Sequence, residues 1–145
     1  MTRLLPVVLL TVAGLAGQAV PVCTAVTEDD ARALIGPTAK RSKDPSGCEW
    51  SGGGKQLNVL RIGVASMFER ARTGSAAKGK VQTENGLGGQ AFSTIPTSDH
   101  GGRAAIYLLK GDGVLVVDIS GFPAGGAEER LPQMRDLARK LVPKI

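Results

Sequence analysis

Ala104-Ala105-Ile106-Tyr107-Leu108-Leu109-Lys110-Gly111-Asp112-Gly113-Val114-Leu115-Val116-Val117-Asp118-Ile119-Ser120 is the stretch on which the fold turns. It reads as two strands, Ala104 to Leu109 and Val114 to Ser120, joined by Lys110-Gly111-Asp112-Gly113. Asp-Gly between two apolar runs is a strong hairpin signal. Successive strand residues point to opposite faces. Leu115, Val117 and Ile119 therefore share one face. Val114, Val116, Asp118 and Ser120 share the other, which turns half-polar toward solvent or a groove. The apolar face needs a cover, and a helix over Glu129 to Val142 supplies one. Leu131, Met134, Leu137, Ala138, Leu141 and Val142 form its apolar stripe. Pro132 is tolerated only in a first turn, which fixes the start near Glu128.

Working back along the chain, Gln90 to Ile95 reads as a strand, and Pro96 to Arg103 as a polar loop. Gly79 to Gly89 holds four glycines and reads as a loop with a short strand at Val81. Gly86-Leu87-Gly88-Gly89 lacks the spacing of a phosphate-binding loop and the Lys-Ser/Thr that would follow, so it reads as a tight turn. Ala65 to Ala77 is a modest helix that turns Phe68 and Ala71 inward. Leu57 to Val64 alternates, with Leu60, Ile62 and Val64 expected on the buried face. Gly52-Gly53-Gly54 is a turn, and Cys48 to Ser51 is a strand. The expected fold class is α+β: an antiparallel sheet of four to six strands, helices packed on one face, and one disulfide.

Cys23 to Trp50 holds both cysteines and the single tryptophan. Thr27-Glu28-Asp29-Asp30 is a capping box with Asp in the place of Glu. Ala31, Leu34 and Ile35 form a stripe, and Gly36-Pro37 ends the helix. Redox chemistry favours Cys-x-x-Cys and zinc needs four ligands. The chain has two Cys, one His and no Cys-x-x-Cys, so Cys23 and Cys48 are expected to pair with each other. A closed loop of about 25 residues contributes roughly 3.5 kcal/mol in the chain-entropy model.

Residues 1–19 read as a signal peptide. Arg3 is a minimal basic segment, Leu4 to Ala16 an apolar core, and Gly17-Gln18-Ala19 a small-x-small cleavage site. The expected mature domain is 20–145, exported to the periplasm or beyond. Val20 and Val22 stand where a lipidated Cys23 would want Leu and a small residue. The net charge is +5, with basic clusters at Lys40, Arg41, Lys43 and at Arg70, Arg72, Lys78, Lys80. Such a surface suits an anionic envelope polymer or another exported protein. Five aromatics without an RNA-binding motif argue against nucleic acid. No transmembrane segment is expected.

Cys23-Thr24-Ala25-Val26-Thr27, Ala33-Leu34-Ile35-Gly36 and Gly47-Cys48-Glu49-Trp50 together resemble a family of small exported bacterial domains. Many of its members are actinobacterial lipoproteins. The family pattern runs Cys-x-Leu-Leu-Thr, a helix ending Leu-Leu-Gly, then Cys-x-Trp or Cys-x-Tyr. A later Gly-Leu-Gly-Asp-x-Ala segment is met by Gly86-Leu87-Gly88-Gly89-Gln90-Ala91. Gly89 replaces the usual Asp, and the lipobox is absent. The resemblance implies an exported, disulfide-stapled α+β domain and transfers no catalytic residue.

His100 is the only histidine. In Ser98-Asp99-His100 the three groups are consecutive and do not converge as a triad must. A Ser93 or Ser98 nucleophile would have to be assembled with distant partners, and G-x-S-x-G is absent. Asp118 and Glu49 could approach across the sheet, with nothing in their spacing to favour acid/base chemistry. No catalytic residue, metal ligand or cofactor is expected. Ser98, Asp99, His100 and Arg103 are the candidate binding loop. The expected function is a non-catalytic extracytoplasmic binding module. The alternatives are a secreted enzyme inhibitor acting through the 94–103 loop and a hydrolase using His100.

Overall fold

The computed structural model describes residues 22–43 and 48–145, apart from the Cys23 side chain. The expected signal peptide, 1–19, lies outside the described residues. Among the described residues, seven strands form one antiparallel sheet in the order β1-β2-β3-β7-β6-β5-β4. They are β1 (Lys40–Arg41), β2 (Glu49–Gly52), β3 (Lys55–Ile62), β4 (Gly79–Glu84), β5 (Gln90–Pro96), β6 (Ala104–Lys110) and β7 (Gly113–Ser120). The helices are α1 (Glu28–Ile35), α2 (Ser66–Ala76) and α3 (Leu131–Leu141), the last entered through a 3-10 turn at Glu128–Arg130.

The expected α+β class and antiparallel sheet are present, and the expected hairpin forms its centre. Lys110 pairs with Gly113, so the turn residues are Gly111 and Asp112. Gly111 takes a φ of 61°, as the first central residue of a II′ turn requires. The β2–β3 turn uses Gly53 and Gly54, both at positive φ. α1 begins with the expected capping box: Thr27 accepts from the Asp30 amide, and the Asp30 carboxylate accepts from the Thr27 amide. Pro132 sits in the first turn of α3.

α1 and α3 cover one face. Leu57 and Val59 of β3, Ile106 and Leu108 of β6, and Leu115, Val117 and Ile119 of β7 pack there with Leu34, Ile35, Met134 and Leu137. Trp50 joins this core at 2% exposure, with the Arg41 guanidinium 5.7 Å from its ring centroid. Cys48 is partly buried against it and is not a free thiol. The Cys23 side chain lies outside the described residues, so the Cys23–Cys48 link is taken up below as a proposal.

Four expectations need correction. The strands number seven because the 38–47 loop contains β1 and the short strand expected at Val81 runs over Gly79–Glu84 as β4. β4 is an edge strand with mostly exposed side chains, so it carries no apolar alternation to read. Its Gly79 serves close strand approach, since a Cβ there would lie 2.2 Å from the Ile95 carbonyl oxygen. The helices also do not share one face. α2 packs Phe68 against Phe92, Val114 and Val116 on the side opposite α1 and α3. In β3 the buried residues are Leu57 and Val59, both fully buried, while Leu60 is 50% and Val64 53% exposed. The face of β3 that holds Leu60 belongs to the α2 side, where α2 packs chiefly on β4, β5 and β6 and Ile62 is partly buried against its cluster. Finally, Thr94, Ile95 and Pro96 belong to β5, which shortens the expected 94–103 loop at its start.

Candidate functional site

The half-polar pattern of β7 marks the site. On the α2 side, Gln56 pairs with Ser120, Asn58 with Asp118, Asp118 with Ala105, and Ala105 with Thr94. Directly opposed residues on antiparallel strands share a face, so this row runs across β3, β7, β6 and β5. α2 stops short of it and leaves it open. Ala105 is small, and it lowers the floor between the larger Arg103 and Tyr107.

Two cavities lie along this floor. One, of about 440 Å³, is bounded by α2 at Ala71, Gly74 and Ser75, by Thr94, Pro96 and Ala105 below, and by Tyr107. The other, of about 510 Å³, is lined by Gln56, Asn58, Asp118, Ser120 and Phe122. Both are bounded by Asp99 and Arg103. They adjoin as two compartments along one open sheet face, with Asp99 and Arg103 as their common border.

The walls are held from behind. Phe68 of α2 meets Phe92 edge-on at 5.1 Å, and Phe92 stacks on Tyr107 at 4.8 Å and 11°. This aromatic series ties the α2 position to the groove wall. Burial pushes the Tyr107 phenol above its ordinary pKa, and the charge of Asp118 adds to that. Arg103 donates to both carboxylate oxygens of Asp118, Nε to Oδ1 at 3.1 Å and NH2 to Oδ2 at 2.7 Å. That hydrogen bond and the Asp118 charge hold the guanidinium pKa above its usual value.

The expected binding loop forms the rim where the compartments meet. Ser98 lines the first compartment and His100 the second, while Asp99 and Arg103 border both. All four therefore come together. The turn is more firmly built than its glycines suggest. The His100 amide donates to Thr97 O, and the His100 carbonyl accepts from the Gly125 amide at 2.9 Å. Gly101 O and Gly102 O accept from Ala127 and Phe122. A Cβ on Gly102 would lie 2.5 Å from Phe122 O, so these glycines permit two loops to lie against each other. His100 has a φ of 49° and is the one non-glycine residue at positive φ among the described residues.

The other expectations separate. Ser93 alternates with Thr94 and faces the α3 side, where it bonds Glu84. Asp118 pairs with Arg103, and Glu49 lies beyond β3, opposite Asn58. Among the described residues, no three His, Cys, Asp or Glu side chains are grouped to hold a metal ion. No helix there is long and apolar enough to cross a membrane. Gln56, Asn58, Thr94 and Tyr107 were not legible as site residues. The one signal was the polar break at Asp118 and Ser120 in an otherwise apolar strand. Comparison with family models, curated proteins and solved structures finds no match for this chain.

Proposed function

We propose that this chain is a non-catalytic binding module of the cell envelope, exported by its 1–19 segment and stapled by Cys23–Cys48. The ligand would lie in the groove on the α2 side of the sheet. The observation that carries this reading is that the two compartments adjoin, sharing Asp99 and Arg103, on a sheet face that α2 covers only in part. Ligand sites are concave and place a few polar groups around a preformed cavity. The exported, stapled character also accords with the family that the sequence resembles. Protein added to isolated envelope material should co-sediment with it. Asn58→Trp, which fills the second compartment from an exposed strand face, should abolish that. Equal co-sedimentation of the two proteins would refute the reading.

The inhibitor reading draws on one observation, the backbone bonding that fixes the 97–102 turn. A rigid exposed turn suits insertion into a partner's cleft. Under that reading Asp99→Ala and His100→Ala would lose inhibition of an exported hydrolase, whereas Asn58→Trp would retain it. A hydrolase using His100 has less support. Ser93 lies on the opposite sheet face, and the His100 imidazole meets no carboxylate among the described residues.

A further inference from the structure

Taking the groove as the binding site, we propose that its ligand is an uncharged, hydroxyl-rich oligosaccharide. The inference rests on the reading above and adds the ligand's chemical class.

Charge comes first. The groove carries Lys78 and Arg103 against Asp99 and Asp118. The four formal charges cancel, although the whole chain carries +5. Arg103 and Asp118 already satisfy each other through two hydrogen bonds. A polyanion is recognised by clustered, unneutralised cations, and this floor offers none.

Hydrogen bonding comes second. The amides of Gln56 and Asn58 line the groove and make no hydrogen bond to another described residue. They stand two residues apart on one face of β3, about 7 Å along the strand. Each offers two donors and an acceptor. Thr94 is the sharper case. It is 5% exposed, it lines the floor of the first compartment, and its hydroxyl has no partner among the described residues. That hydroxyl keeps some accessible surface, so a ligand entering the first compartment can hydrogen-bond it. Sugar hydroxyls donate and accept without charge, which is what two free amides and a free hydroxyl ask for. Tyr107 in the first compartment adds apolar ring surface for the C–H faces of sugar rings. An extended peptide, by contrast, draws its affinity from main-chain pairing at a sheet edge, and this site is a sheet face.

The test is a titration of isotope-labelled protein, followed by amide shifts. The probes are neutral tetrasaccharides of glucose, mannose and N-acetylglucosamine, with polyglutamate and an uncharged peptide beside them. Millimolar saccharide should move the amides around Asn58, Thr94, Ala105 and Asp118. Asn58→Leu and Thr94→Val should each weaken that binding roughly tenfold, the effect of one lost hydrogen bond. Thr94→Val should leave the melting temperature unchanged or raised, because no protein partner is lost. A lowered melting temperature with saccharide binding intact would make Thr94 structural and overturn the argument. Groove shifts with polyglutamate or peptide alone would overturn the ligand class and leave the groove as a binding site. Silence from every saccharide overturns the ligand class as well. The groove reading itself fails separately, on the co-sedimentation of Asn58→Trp.

Discussion

The sheet face carrying Leu57, Val59, Leu115, Val117 and Ile119 is sealed by α1 and α3, and those five residues are fully buried. The face carrying Asn58, Leu60, Asp118 and Ser120 has α2 alone, whose cluster covers the β4–β6 end and reaches Val114 and Val116 of β7. Antiparallel sheets tolerate one wet face because their backbone groups are paired within the sheet. Here that tolerance is used unevenly. One face is fully buried and the other keeps polar side chains open to the groove. The difference also explains the ion pairs. Glu84 is 6% exposed and meets Arg135 of α3 on the sealed face through two hydrogen bonds, at 2.6 and 2.9 Å. Arg103 and Asp118 make the same bidentate contact on the open face, where the Arg103 side chain is 49% exposed.

The comparison breaks most directly by truncation on each face. Leu115→Ala on the sealed face should cost about 4 kcal/mol, in the range of buried leucine truncations. Leu60→Ala on the open face should cost no more than about 0.5 kcal/mol. Chemical denaturation of the two variants reads the contrast, and similar losses would mean that the faces are not different in kind. The staple that we place beneath the sealed face is tested next. Cys48→Ala should cost about 3 kcal/mol, and peptide mapping without reductant should recover Cys23 linked to Cys48. Thiol labelling of both cysteines in the folded protein would remove the staple.

The sealed ion pair gives a smaller effect with a pH signature. Arg135→Ala should cost about 2–3 kcal/mol, at or just below the range for breaking a buried pair, because its side chain is 26% exposed. Burial pushes the Glu84 carboxyl up, but hydrogen bonds from Arg135 and Ser93 and the Arg135 charge bring it below its ordinary value of 4.5. A depressed folded pKa contributes stability above the unfolded value and loses it as pH falls through the folded one. Wild type should therefore shed this contribution as pH drops below 4.5. Asp30, also held low, adds to the same slope: burial pushes it up, and the Lys140 and Thr27 hydrogen bonds more than offset this. Arg135→Ala should flatten the slope, and an unchanged slope would show that Glu84 does not draw on Arg135. Smallest of all, His100→Ala on the open rim should stay within about 0.5 kcal/mol of wild type, as for exposed changes. A thermal melt that shifts further would make the turn's left-handed residue structural.

The amino-acid sequence by itself determined the elements whose cause is local. Thr27 and Asp30 cap α1 through atoms three residues apart. Gly111 and Asp112 turn the central hairpin, Pro132 sets the start of α3, and alternation in β7 separates Leu115, Val117 and Ile119 from Asp118 and Ser120. Tertiary structure decided what alternation leaves open. A period of two says that Leu57 and Leu60 face opposite ways, but the pairing partner decides which way is inward. Of the apolar run Leu60, Ile62 and Val64, Ile62 packs against the α2 cluster, while Leu60 and Val64 stay exposed because α2 lies chiefly over β4, β5 and β6. β4 was legible only as a short strand at Val81, because an edge strand with exposed side chains has no burial pattern to display. The groove was hidden for a related reason. Gln56, Asn58, Thr94, Arg103 and Asp118 lie on three strands and one loop, and only strand order and register bring them to one floor.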